Sequence, residues 1–314
     1  MNLEANPTRS SAVVSFTNRL RYGWHLLSSN SRSFFSVTDF SGIFDDLRRY
    51  KAVYEKISGR PLCDARVLEV GFGQRPFRVF ALQSLGLQTT AVDVEQPTLS
   101  YWDSVKVAKR HGIYRAFKSL VRRQVFDAKV YRDFSKQLQA QFGVNLDKDR
   151  KCLITDDCAS AQFWQQNSGP YDLIYSEDVF EHIPSVDLET AVEHMANHLA
   201  PRGLLLTTPM VFTGICGGHH IEWYSGTFNR SINRKVPPWD HLLDNSFEAD
   251  TYLNKLSRRD YIKIFTRYFN ILEESTPLGA LGNEFLTEDL RRKLSDYDDY
   301  ELFSNNVSFV LQKK

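Results

Sequence analysis

Two stretches of the 314-residue chain concentrate side chains that can do chemistry. The first is RVLEVGFGQRPF, residues 66–77, where a short apolar run enters a glycine pair and Glu69 stands two positions before Gly71. Glycines that follow a strand let a ligand approach the backbone closely. The pattern argues against a dinucleotide. G-x-G-x-x-G wants a third glycine for tight helix–sheet packing, and Pro76 occupies that position. The Gly-Lys-Ser/Thr ending of a nucleotide-triphosphate loop is missing too. The charge of Glu69 would in addition repel a pyrophosphate.

The second stretch is the pair TGICGGHHIEWY (213–224) and PPWDHLLD (237–244). In an extended segment His219 and His220 point to opposite faces, while His220 and Glu222 share one. Imidazole has a pKa suited to taking a hydroxyl proton. His219 or His220 is therefore a candidate general base, and His241 is a further one. The competing reading makes all three polar residues that bond to backbone. No metal site is read here, because His220 and Glu222 lack a metal-ligand spacing signature. His182, in VFEHIP, reads as a structural turn residue.

These residues need a frame. Residues 67–70 form a short, continuously apolar run, as in a buried strand. Proline is favoured at the first helical position, so a helix is expected from Pro76 to the Gly86 stop. A second strand follows at 87–94 and brings Asp93 to its end. Strand, glycine turn, helix and strand make a βαβ unit and imply a parallel sheet. KCLITDD (151–157) and YDLIYSED (171–178) are further strands with acidic exits. A helix at 187–200 places Leu188, Val192, Met195 and Leu199 on one face. A turn and fifth strand occupy 201–209, and Ser257 with Asp260 starts a helix through Tyr268. Residues 269–275 and 306–314 supply the last strands.

The frame has additions. Val13, Phe16, Leu20, Trp24 and Leu27 recur at helical spacing, which gives an N-terminal helical arm over 1–45 before a main domain over 46–314. Residues 96–150 are an insert, basic between Lys106 and Arg132. Residues 211–256 lie past the fifth strand, where open α/β sheets place their ligand crevice. They read as a substrate lid.

Taken in order, VLEVGFG, AVDV, YDLIYSEDVFEHIP and LAPRGLLLTTP resemble the class I S-adenosylmethionine-dependent methyltransferase family over residues 60–210. The resemblance implies an α/β fold: a Rossmann-like, doubly wound, seven-stranded sheet with an antiparallel last strand. It implies S-adenosyl-L-methionine as cofactor. That molecule carries an ammonium and a sulfonium but no phosphate, so Glu69 becomes an asset. By similarity, Glu69 organises the turn and the ammonium side, and Gly71 and Gly73 admit the cofactor. Asp93 accepts from the ribose hydroxyls. Asp157 with Cys158, or the neighbouring Asp156, takes the adenine side, and Ser176 and Glu177 line the methionine side. The family commonly has a third glycine where Arg75 stands. Arg75 then either reaches the cofactor carboxylate or faces solvent.

The acceptor is less legible. VFEHIP resembles the branch acting on small molecules such as quinones, sugars and natural products. The Asn/Asp-Pro-Pro-aromatic and Pro-Cys motifs of nucleic-acid enzymes are replaced by SEDVF. A net charge of +1 sets up no global field for nucleic acid. The chain shows no apolar run long enough to span a membrane. Four cysteines without a CxxC pair suit a reduced, cytoplasmic compartment. The expectation is methyl transfer to a small-molecule hydroxyl. The alternatives are an RNA or protein methyltransferase docking through the basic insert, or an inactive cofactor-binding protein. The broken glycine fingerprint and Glu69 together predict that calorimetry detects S-adenosylhomocysteine binding in the micromolar to sub-millimolar range and no NAD binding. The reverse result would remove the basis of this reading.

Overall fold

The computed structural model describes residues 37–99, 103, 105, 108, 109, 127–228, 233–247, 249 and 251–314. The helical pattern at 13–27 and most of the basic run from Lys106 to Arg132 lie outside the described residues. Seven strands form one sheet in the order β3-β2-β1-β4-β5-β7-β6. They are β1 Arg66–Val70, β2 Gln88–Asp93, β3 Leu153–Thr155, β4 Tyr171–Glu177, β5 Leu199–Thr208, β6 Phe269–Ser275 and β7 Ser308–Lys313. Strands β1 to β5 pair in parallel, and β7 runs antiparallel to both β5 and β6. The last strand is thus the antiparallel one, as the resemblance implied.

Helices α1 Ser41–Ser58, α2 Phe77–Ser84 and α3 Ala128–Phe142 cover one face, and α4 Ala161–Gln166, α5 Ser185–His198 and α6 Arg258–Tyr268 cover the other. Strand side chains alternate between the faces. Val67, Leu173, Tyr175, Leu204, Leu206 and Val310 meet the first layer, whereas Leu68, Ile174, Leu205 and Phe309 meet the second. With both faces covered, the parallel strands are buried on both sides, which is why they read as unbroken apolar runs. Helix α1 buries Phe44, Leu47, Tyr50 and Tyr54 along one stripe and runs through residue 45, where the sequence reading ended the arm. Ser257 and Asp260 close the expected capping box on α6.

Some boundaries differ from the sequence expectation. Helix α2 begins at Phe77 and ends at Ser84, with Pro76 just outside it and Gly86 at φ 85° turning the chain. The strand read at 151–157 is only Leu153–Thr155, because Asp149 accepts from the Lys151 amide and holds residues 150–152 in a 3₁₀ turn. The helix read to residue 200 stops at His198, and β5 starts at Leu199.

The segment after β5 has a core of its own. Ile215, Cys216, Trp223, Val236 and Trp239 pack with Leu294 and Leu302, next to α7 Glu288–Lys293 and in α8 Asp299–Leu302. Among the described residues, no helix is long and apolar enough to cross a membrane.

Candidate active site

Strand order reverses around β1, so the crevice lies at the carboxyl ends of β1, β2 and β4. The glycine turn leaves β1 there. Gly71 sits at φ 86° and donates to Val92 O at 2.8 Å. A Cβ on Gly71 would lie 2.2 Å from the Val179 side chain, so the turn and the β4 exit press together. Gly73 sits at φ 63°, and its missing side chain faces open space. Its amide donates to Asp93 Oδ2 at 2.7 Å, and the Glu95 amide donates to Oδ1 at 2.7 Å. Asp93 therefore ties the end of β2 to the turn. Burial raises its pKa, and these two amides oppose the shift.

Arg75 avoids left-handed geometry, and the two positive φ values of the turn fall on its glycines. Its guanidinium pairs with Asp127 at the start of α3. It is committed neither to the cofactor carboxylate nor to solvent alone, the two options read from sequence.

Glu69 is buried on β1, and its Oε2 makes no hydrogen bond. Burial pushes its pKa up to about 7, with Arg78, the Tyr175 hydroxyl and the Val79 amide pulling the other way. Ser176 is fully buried, and its Oγ lacks a partner. Glu177 is held from the N-terminal side of the fold: Arg49 donates to Oε1 at 2.6 Å and the Tyr50 hydroxyl at 2.7 Å. Burial still raises the Glu177 pKa, against the Arg49 charge.

Beyond β3 the acids separate. Asp156 is half-buried, its amide donates to Asp93 O at 3.1 Å and its Oδ1 accepts from the Asp157 amide. Asp157 is exposed and accepts from the Ala159 amide at 2.8 Å. Cys158 is buried, and burial pushes its thiol up to about 12.

The histidines are not extended neighbours. His219 adopts φ 53°, and residues 221–223 form a 3₁₀ turn. The extended geometry in which His220 and Glu222 were expected to share a face is therefore absent, and Glu222 Oε2 accepts from the amides of Lys235 and Val236 at 2.6 and 2.8 Å. His241 Nε2 donates to Phe212 O at 2.8 Å, which leaves the lone pair on Nδ1. Nδ1 of His241 and Nε2 of His219 and His220 have no partners. Burial lowers all three, His219 and His241 to about 4. All three are neutral at physiological pH.

Gly214, Gly217 and Gly218 are close-packing positions. A Cβ on Gly218 would lie 2.7 Å from His241 Nδ1 and 2.8 Å from His220 Nε2. His219 instead meets His182, with ring centroids 5.0 Å apart.

Sequence reasoning missed Asp178 and Glu181, although both stand in SEDVFEHIP. Asp178 sits at φ 55° and accepts from Asn306 Nδ2 at 2.8 Å. Glu181 is buried, and neither of its oxygens is hydrogen-bonded. Burial and the nearby Asp178 push it up to about 8, while the amides of Glu181 and Met210 favour its ionised form without closing a hydrogen bond. It missed Arg49 and Tyr50 as well, because α1 carries only an ordinary amphipathic pattern.

A model of the methyltransferase domain matches residues 43–268. The chain belongs to the class I S-adenosylmethionine-dependent methyltransferase family. No match is found among curated proteins. Among solved structures, the methyltransferase is similar to the Burkholderia thailandensis 1,6-didemethyltoxoflavin-N1-methyltransferase, at 11% identity and TM-score 0.42, covering 100% of this chain and 93% of that one. It is also similar to an S-adenosylmethionine-dependent methyltransferase from Clostridium acetobutylicum, at 13% identity and TM-score 0.44, covering 93% and 98%. Its cofactor is S-adenosylmethionine. The residues present fit that molecule: a glycine turn open at Gly73, and orphaned buried polar atoms on Glu69 and Ser176.

Glu69 yields a prediction for the cofactor-free methyltransferase. Its pKa is raised from 4.5 to about 7. A raised acid keeps its proton in the folded state after the unfolded chain has released it. Stability therefore falls as pH rises from about 4.5 to 7, by up to roughly 3 kcal/mol for this group. Glu69→Gln removes the ionisation. Its melting temperature relative to wild type should rise across that window and level off above it. A difference that stays flat with pH would show that Glu69 carries no such burden.

Proposed function

We propose that the methyltransferase transfers the methyl group to a hydroxyl of a small-molecule acceptor, and that a neutral imidazole beside Gly218 takes the hydroxyl proton. The observation that carries this is the convergence of two buried, partnerless nitrogens, His220 Nε2 and His241 Nδ1, on the Gly218 backbone. The Phe212 carbonyl fixes the His241 tautomer, so the lone pair on Nδ1 is oriented in advance. His219 stays a third candidate, and one of its ring nitrogens lies within 4.8 Å of donor atoms on His182 and Glu181. The imidazoles lie buried within a packed segment, which favours an acceptor that enters the fold over one that docks on its surface.

When bound, S-adenosylmethionine supplies a methyl group already activated on a sulfonium. The chain then has to align, desolvate and take a proton. In this reading Gly71 and Gly73 admit the cofactor, and Glu69, Ser176 and Glu177 line its methionine side. Asp93 accepts from the ribose hydroxyls, and Asp156 or Asp157 with Cys158 serves the adenine side.

A panel of small-molecule alcohols, phenols and amines, read out as S-adenosylhomocysteine release, tests the acceptor class. Turnover confined to amines would overturn the hydroxyl assignment. With an acceptor in hand, His220→Ala or His241→Ala should lower turnover by about 10²-fold or more and leave S-adenosylhomocysteine affinity nearly intact. If these variants and His219→Ala all stay folded and near wild-type in rate, no histidine is the base and alignment alone carries the reaction. Asp93→Ala should weaken S-adenosylhomocysteine binding by roughly 1–3 kcal/mol, the range of a charge-assisted hydrogen bond. Unchanged affinity in calorimetry would remove Asp93 from the ribose.

A further inference from the structure

We propose that Glu181, His182 and His219 form a binding site for a divalent first-row transition cation, apart from the imidazole pair at Gly218. One donor atom from each of the three lies within 4.8 Å of the other two. Bonds of about 2.1 Å to a common ion need donors roughly 3–3.5 Å apart, so small side-chain rotations close the set.

Three observations beyond proximity point to a ligand. First, Glu181 is a carboxylate only 3% exposed with both oxygens lacking hydrogen bonds. A buried carboxylate without a partner is costly, and a coordinated cation is one of the few groups that offsets the cost. Second, His182 Nδ1 meets Tyr252 O at 3.0 Å. A carbonyl only accepts, so Nδ1 carries the proton and Nε2 presents its lone pair. A backbone carbonyl on the far nitrogen is the usual outer partner of a metal-binding histidine. Third, His219 Nε2 is buried and unpartnered.

The frame under these ligands is rigid. Asn254 Nδ2 donates to Phe180 O and Ile183 O at 2.7 and 3.0 Å, and the Asn254 amide donates to Glu181 O at 2.9 Å. These bonds lock the 3₁₀ turn Phe180–His182. His219 is held at φ 53°, with its amide donating to Cys216 O at 2.9 Å.

Two imidazoles and one carboxylate suit Zn²⁺, Co²⁺ or Mn²⁺ better than Mg²⁺ or Ca²⁺, which prefer all-oxygen shells. Three protein ligands leave coordination positions open. An acceptor oxygen could occupy one of them; that use rests on the proposed function, whereas the cation site itself does not.

The test uses the full, untagged chain after chelator treatment, without cofactor or acceptor. Titration with Zn²⁺ and Co²⁺ is followed by melting temperature and calorimetry, and Co²⁺ also by its visible absorption. The expected result is one ion per chain and a raised melting temperature, with little response to Mg²⁺. Glu181→Gln, His182→Ala and His219→Asn should each weaken binding by about tenfold or more. Glutamine keeps the shape of the buried acid, and asparagine tolerates the left-handed backbone at residue 219. His194 and His198, four residues apart on α5, are the rival imidazole pair. Binding that survives the three variants, or that is lost in His194→Ala, overturns the proposal, as does no Zn²⁺ or Co²⁺ binding by the wild-type chain. None of these readouts depends on turnover, so the fate of the hydroxyl reading is decided separately.

Discussion

Burial of carboxylates at the carboxyl ends of the central strands is the constraint on which the rest of the site depends. Glu69, Asp93, Glu177 and Glu181 all have raised pKa values with burial as the leading cause. Acids gathered this closely also repel one another. The surrounding structure offsets this locally. Arg49 and Tyr50 reach Glu177 from α1, and Arg78 on α2 lowers the cost at Glu69, Glu177 and Asp178. Arg78 is itself held by Asp46. The glycine turn spends one amide on Asp93, and Asn306, just before β7, donates to Asp178. Remote elements are therefore tied to the site by charge as well as by packing.

The same region concentrates backbone strain. Asp178, His219 and Trp239 take left-handed φ values that side-chain-bearing residues seldom adopt. Such conformations persist when surrounding packing over-determines them. Trp239 is fully buried in the core that joins the segment after β5 to Leu294 and Leu302. That core, together with the close contacts at Gly214, Gly217 and Gly218, packs this segment tightly against its neighbours.

Local sequence carried much of this. Apolar runs gave the strand positions, the Ser257–Asp260 box marked the start of α6, and the motif order identified the sheet and the cofactor. What stayed hidden is non-local. The left-handed His219 and the 3₁₀ turn at 221–223 break the extended geometry in which Glu222 was expected to share a face with His220. The Arg75–Asp127 pair spans an insert whose path no periodicity reveals. Glu177 gave no sign of its partners on α1, and Glu181 gave no sign that it lacks hydrogen bonds, because both depend on which distant elements pack together.

An acid-rich crevice suits a cationic cofactor, but attraction alone would not speed transfer. The sulfonium loses its charge as the methyl group leaves, so an unopposed anionic field favours the ground state over the transition state. Pairing of Glu177 with Arg49, and a Glu69 pKa near 7, temper that field. The histidines follow the same logic in reverse. Burial lowers the pKa of His219, His220 and His241, so each stays neutral. A neutral imidazole does not repel the sulfonium as an imidazolium would; under the proposed function it also keeps a lone pair for the acceptor proton, although a lowered pKa makes it a weaker base. Desolvation acts on acids and bases alike here: it favours the neutral form of Glu69 and Glu181 as it does that of His219 and His241.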